Sequence, residues 1–172
     1  MSNLENPLSD GDGEYFPVAQ LLSNAANARF RSALRTYPSL IGLKVVETRT
    51  LHEIGLHGPV MARDIANSTF LHEAQVSLAV KKLVGKKLVR FMRDTVDQRC
   101  KLLILTPPGM RKYIAVANIF ELRRQQILKG MSRKEQAQFF KLLKKITDNA
   151  EAMLTADDQE VQLPNGERRL AG

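Results

Sequence analysis

The sequence predicts a mainly α-helical chain with one small antiparallel β-hairpin. Apolar residues recur at spacings of three and four both before residue 86 and after residue 109, which is the period of a helix buried on one side. Between those stretches lies one pair of short β-rich runs, residues 88–93 and 101–106, separated by the turn-forming sequence Asp94-Thr-Val-Asp-Gln-Arg. The chain has 172 residues and is 44% hydrophobic, enough for one packed domain or two small ones.

Residues 1–16 read as a loose tail rich in Ser, Asn, Asp, Gly and Pro. From Pro17, the series Val18, Leu21, Leu22, Ala25, Ala28 and Leu34 predicts a helix ending near Pro38, because a residue preceding proline avoids the helical region. Ser39 is then expected to cap a second helix through Leu43, Val46, Thr50, Leu51 and Ile54 to Gly55. Gly58-Pro59-Val60 reads as extended, and residues 61–66 as a compact helical segment. Asn67-Ser68-Thr69 is expected to break it, since such side chains compete for backbone hydrogen bonds. The next helix, residues 72–86, gathers Val76, Ala79, Val80 and Leu83 on one face and leaves Gln75, Ser77, Leu78, Lys81 and Lys82 outward. The hairpin follows, and after Pro107-Pro108-Gly109 a helical pattern runs through Tyr113, Ala117, Phe120 and Ile127 until Gly130 interrupts it. Ser132-x-x-Glu135 is a capping box opening the last helix, which repeats Phe139, Leu142, Ile146, Asn149 and Met153. Residues 155–172 read as a second tail.

The last stripe reads either as an ordinary core face or as half of a two-fold symmetric interface. The first and last helices lie far from the middle of the chain, so a homodimer built from residues 17–56 and 113–154 is the economical expectation. Residues 57–112 remain as a helix, break, helix and hairpin unit.

Charge singles out that middle unit. Overall, 26 Lys and Arg face 18 Asp and Glu, a net charge of +8. Residues 57–112 hold 11 basic and 4 acidic residues, +7, while residues 1–56 carry −1 and residues 113–172 carry +2. One basic face aimed at phosphates accounts for this concentration, with a solvated charged surface as the alternative. Helix, break, helix and charged hairpin is the order of a winged helix-turn-helix, whose second helix enters the DNA major groove while its hairpin, the wing, reaches for the backbone or minor groove. Gln75 and Ser77 are placed to meet base edges, and Lys81 and Lys82 to meet phosphates. On the hairpin, Arg93 and Gln98 are assigned to DNA. Arg99 suits a narrow minor groove, and Asp97 serves the turn or pairs with Arg99.

These residues resemble the MarR family of bacterial transcription regulators. The resemblance rests on Gly58-Pro59-Val60, Ala62-x-x-Ile65-Ala66, Val76-Ser77-x-x-Val80-x-x-Leu83 and Leu88-Val89, and above all on the run from Asp97 through Arg99, Leu103, Leu105 and Thr106 to Gly109. It implies a homodimer with a winged helix-turn-helix on each lobe, repressing genes from a double-stranded operator until a small ligand, often a phenolic or aromatic carboxylate, releases it. Such a ligand would sit between the dimerisation helices and the DNA-binding lobe; Arg29, Arg35, His52 and His57 are its candidate contacts, with solvated helix charges as the alternative reading of these residues. The chain departs from the family pattern at Lys87, where glycine is usual before Leu-Val, at Leu78, where arginine is frequent, and at His72, where a Ser or Thr cap is expected.

Other functions find less support. No nucleophile–base motif, phosphate loop or dinucleotide fingerprint is present, so no enzyme and no cofactor is expected. The three histidines form no ligand spacing with carboxylates, so no metal is expected. Cys100 reads as packing in a strand, although Arg99 and Lys101 are placed to lower a thiol pKa. No apolar run approaches the ~18 residues of a membrane span, and the N-terminus lacks signal-peptide order, so a cytoplasmic protein without a membrane partner is expected. The alternative is a protein-interaction module on a winged-helix scaffold without sequence-specific DNA binding.

Overall fold

A computed structural model describes residues 17–93 and 101–156. Among these the order is α1 (Val18–Ile41), α2 (Val45–His57), α3 (Ala62–Thr69), α4 (Glu73–Gly85), β1 (Val89–Arg93), β2 (Lys101–Leu105), α5 (Pro107–Ile127) and α6 (Arg133–Ala156). The chain forms two compact units whose boundary, between Glu121 and Leu122, falls inside α5.

The first unit is organised around α2. Leu51 and Ile54 from α2, Ile65 from α3, Val76 and Leu83 from α4, Leu103 from β2 and Val116 from α5 are all essentially inaccessible. Each such burial contributes roughly 1.5–3 kcal/mol, so this cluster fixes how α3, α4 and the hairpin stand against α2. The strands pair antiparallel from Val89 opposite Leu105 to Arg93 opposite Lys101. Val60 adds a bridge to Leu103, each residue donating its N–H to the other's carbonyl at 3.2 and 2.8 Å. The extended Gly58-Pro59-Val60 piece thereby ties the start of the helix-turn-helix to the hairpin.

Three boundaries differ from the sequence reading. The first helix does not stop at Pro38 but runs on to Ile41, where Gly42 takes φ 73 and donates its N–H to the Pro38 carbonyl. An interior proline costs about 3 kcal/mol, and burying Tyr37 and Ile41 on one face offsets it. Ser39 consequently caps nothing: it lies in α1 and its hydroxyl donates to the Thr36 carbonyl. The second helix opens instead at Val45, where the Lys44 N–H donates to Glu47 Oε2 at 3.4 Å. Lastly, Asn67-Ser68-Thr69 does not break α3 but forms its last turn. The Thr69 and Ser68 hydroxyls both donate back to the Ile65 carbonyl, satisfying their polarity within the helix. The turn comes one residue later, at Phe70 with φ 52.

The exit of α4 and the entry to α5 are locked together. Lys87 takes φ 57, so the left-handed exit survives although lysine stands where glycine would adopt it more readily. Thr106 donates its N–H to the Leu88 carbonyl at 3.0 Å, places its hydroxyl 2.7 Å from the Lys87 carbonyl, and accepts the Gly109 N–H at 3.1 Å as cap of α5. A Cβ at position 109 would lie 1.8 Å from the Leu88 carbonyl oxygen, so this approach requires glycine.

In the second unit, Gly130 takes φ 89 and the capping box opens α6 as the sequence predicts. Ser132 N–H donates to Glu135 Oε2 at 2.7 Å, and Glu135 N–H donates to Ser132 Oγ at 3.3 Å. The Ser132 hydroxyl also lies 2.6 Å from Glu135 Oε2, and this bond, followed by the one from the Ser132 N–H, holds the Glu135 carboxyl below the usual carboxylate range. Phe139, Leu142, Ile146 and Met153 remain exposed along α6.

Candidate nucleic-acid interface

Helix α4 has one buried and one open side. Val76, Ala79, Val80 and Leu83 anchor it to the core, and Gln75, Ser77, Leu78, Lys81 and Lys82 are exposed. The buried side fixes the roll of the helix, so the outward side chains emerge from a rigid support. His72 stands at the N-cap without a side-chain cap; its carbonyl accepts the Gln75 and Val76 N–H groups.

The outward lysines are not equivalent. Glu47, buried at the start of α2, lies 3.7 Å from Lys82 Nζ and accepts a 3.1 Å hydrogen bond from Lys86 Nζ, which also donates to the Gly42 carbonyl at 3.0 Å. Lys81 makes no ion pair with any described residue. Among the described residues, the Lys82 and Lys86 flank is thus partly neutralised by a carboxylate that water hardly reaches, and the Lys81 flank is not. Sequence reasoning finds Lys82 but misses Glu47. An acid in the first turn of a helix signals capping, and nothing local signals lysines from another element.

On the hairpin, Arg93 is exposed at the end of β1, beside exposed Arg90 and Phe91. Asp97, Gln98, Arg99 and Cys100 lie outside the described residues.

A cavity of ≈ 160 Å³ opens within the first unit between α1, α2 and α5, lined by Arg29, Phe30, Tyr37, Arg49, His52, Glu53 and Phe120 among others. Of the four effector candidates it gathers Arg29 and His52. His57 sits instead at the exposed end of α2, 3.7 Å from Glu53, and Arg35 lines a separate shallow groove on α1. The His52 ring lies 4.5 Å from the Phe120 centroid and 5.7 Å from Tyr113, and Tyr37 stacks on Phe120 at 5.9 Å. Burial pushes the His52 pKa down, with His57 adding to the effect and Glu53 opposing it. Arg49 donates to the Thr69 carbonyl at 2.7 Å. Its pKa is lowered by burial and then by the charge of Arg29, with Glu53 opposing. Two guanidinium groups and one carboxylate beside three aromatic rings leave excess positive charge in a half-enclosed space. Arg49 is three residues before His52 and so shares its helix face, a signal available in the sequence, whereas Phe120 arrives only through the packing of α5.

Among the described residues no cluster of His, Cys, Asp and Glu could hold a metal ion. No described helix is long and apolar enough to cross a membrane.

The sequence profile of the MarR family matches residues 41–99. The uncharacterized HTH-type transcriptional regulator YwaE of Bacillus subtilis (strain 168) is 27% identical over 99 residues, 58% of this chain, and the chain spans 58% of that relative's length. The crystal structure of a MarR/EmrR family transcriptional regulator from Acinetobacter sp. ADP1 superposes with a TM-score of 0.71 at 25% identity, covering 78% of this chain and 94% of the other. BpsR of Bordetella bronchiseptica, whose DNA binding is regulated by 6-hydroxynicotinic acid, superposes with a TM-score of 0.66 at 23% identity, covering 77% and 99%. The profile match coincides with the helix-turn-helix and the start of the hairpin, so this part of the chain is similar to the winged helix-turn-helix of the MarR family, and the solved structures share its fold.

Proposed function

We propose that the chain is a ligand-responsive DNA-binding transcription regulator, acting as a homodimer on a pseudo-palindromic operator and released from it by a small aromatic acid. The observation that carries the DNA-binding reading is the rigidly backed outer face of α4, which presents Gln75, Ser77 and Lys81 within a segment of charge +7. A helix so supported fits a major groove about 12 Å wide. Arg93, Gln98 and Arg99 then meet the flanking backbone and minor groove, and Lys82 the phosphates on its own flank. Dimerisation is supported by the apolar stripe of α6, whose Phe139, Leu142, Ile146 and Met153 stay exposed, and two copies related by a two-fold axis match the symmetry of a palindromic site. In this assignment the protein carries out no catalysis.

The effector part of the proposal is supported by the cavity. A carboxylate against Arg29 and Arg49 would relieve their mutual repulsion, and an aromatic ring would lie against Tyr37, His52 and Phe120. BpsR offers the probe, 6-hydroxynicotinate. Binding of this acid would act by favouring a dimer whose two α4 helices are not one DNA turn apart.

Fluorescence anisotropy of the full chain on a promoter duplex, over a range of salt concentrations, tests the reading. Lys81→Ala is expected to weaken binding to all sequences and to reduce the slope of log K against log salt by about 1. An unchanged slope would remove Lys81 from the phosphate contacts, and titration with 6-hydroxynicotinate that never lowers the anisotropy would count against this effector.

A further inference from the structure

On the same reading of α4, we propose that Leu78 is a specificity-determining residue that reads thymine through its C5-methyl group, with Ala74 extending the apolar contact by one helical turn. At about 3.6 residues per turn, Ala74 and Leu78 lie along the line opposite the buried residues Val76, Ala79, Val80 and Leu83, at the crest of the outward face. Polar residues flank that crest on both sides: Ser77 and Lys81 on one, Gln75 and Lys82 on the other. Leu78 is 55% exposed, a branched apolar side chain at the point that would go deepest into a groove. The floor of the major groove is otherwise lined with hydrogen-bond donors and acceptors, and the thymine methyl is its apolar group. Leucine has no donor for the O6 and N7 acceptors of guanine and no acceptor for the amino group of cytosine. Placed over either, it would strip water from polar atoms and return nothing. Over thymine it buries a methyl group against its own branched end. The crest of α4 therefore selects T·A pairs, while the flanks supply phosphate contacts and polar readout.

The experiment begins with selection of bound duplexes from a random-sequence pool by the full-length protein. Each thymine of the selected half-site is then replaced singly by deoxyuridine, which removes the methyl and leaves the hydrogen-bonding edge intact. The expected result is a loss of about fourfold in affinity at one or two positions per half-site, the effect of one buried methyl group. At the position Leu78 covers, that loss should disappear in Leu78→Ala and in Leu78→Gln, both expected to fold because the side chain is outside the core. Wild-type binding indifferent to every deoxyuridine, or variants that keep the wild-type sensitivity, would overturn the proposal while leaving DNA binding in place. Failure to enrich any duplex would overturn the DNA-binding reading itself, and the role of Leu78 with it.

Discussion

The α2-centred core and α6 spend their apolar residues in opposite ways. Leu51, Ile54, Leu83 and Leu103 find partners within one chain and are shut off from water, whereas Leu142 and Ile146 repeat at the same helical spacing and stay open. An apolar stripe in a sequence therefore reports that a face will be covered, without reporting by what. For the core the cover comes from neighbouring elements; for α6 the proposed cover is a second copy.

Two sets of substitutions sharpen that contrast. Leu83→Ala removes a side chain with no exposed surface and is expected to cost about 2–5 kcal/mol in urea unfolding, the largest effect here. Leu142→Asp with Ile146→Asp should leave the unfolding of the core within about 0.5 kcal/mol, since both side chains are exposed, yet convert a sedimenting dimer into a single subunit. If the double variant instead lowers core stability as Leu83→Ala does, or the unaltered protein already sediments as one subunit, the contrast between the regions fails.

The smallest effect concerns the half-buried middle ground between them. Burial holds the His52 imidazole below its ordinary pKa, so the folded chain keeps it neutral where the unfolded chain, titrating near about 6.5, already binds a proton. The stability this ring contributes is thus complete above the unfolded value and is lost as pH falls through that value toward the folded one. His52→Phe should keep the ring stacking and narrow the drop in Tm between pH 7.5 and pH 5. An identical drop in both proteins would assign the acid sensitivity elsewhere.

What the sequence disclosed follows the reach of each interaction. The hairpin, the buried face of α4 and the Ser132–Glu135 box are settled by residues within a few positions of one another, and all three are found where the pattern puts them. The end of α1 is not, because Pro38 acts locally while burial of Tyr37 and Ile41 depends on the rest of the unit. The cavity was half legible. Arg29 and His52 stand out as charged or titratable residues on helices, but Phe120 joins them only when α5 packs, and Arg35 and His57 have nothing in their sequence context to show that they face elsewhere. Glu47 escaped because its lysine partner is 39 residues away.

That hidden carboxylate gives the reading head a lopsided charge. With Lys82 and Lys86 tethered to Glu47 on one side and Lys81 paired with no described residue on the other, a polyanion approaching α4 would meet a stronger pull along one edge than along the other. On the proposed reading, a docked helix would settle toward the strand that Lys81 can reach, and a residue placed to begin a neighbouring helix would also set the tilt at which this one lies in its groove.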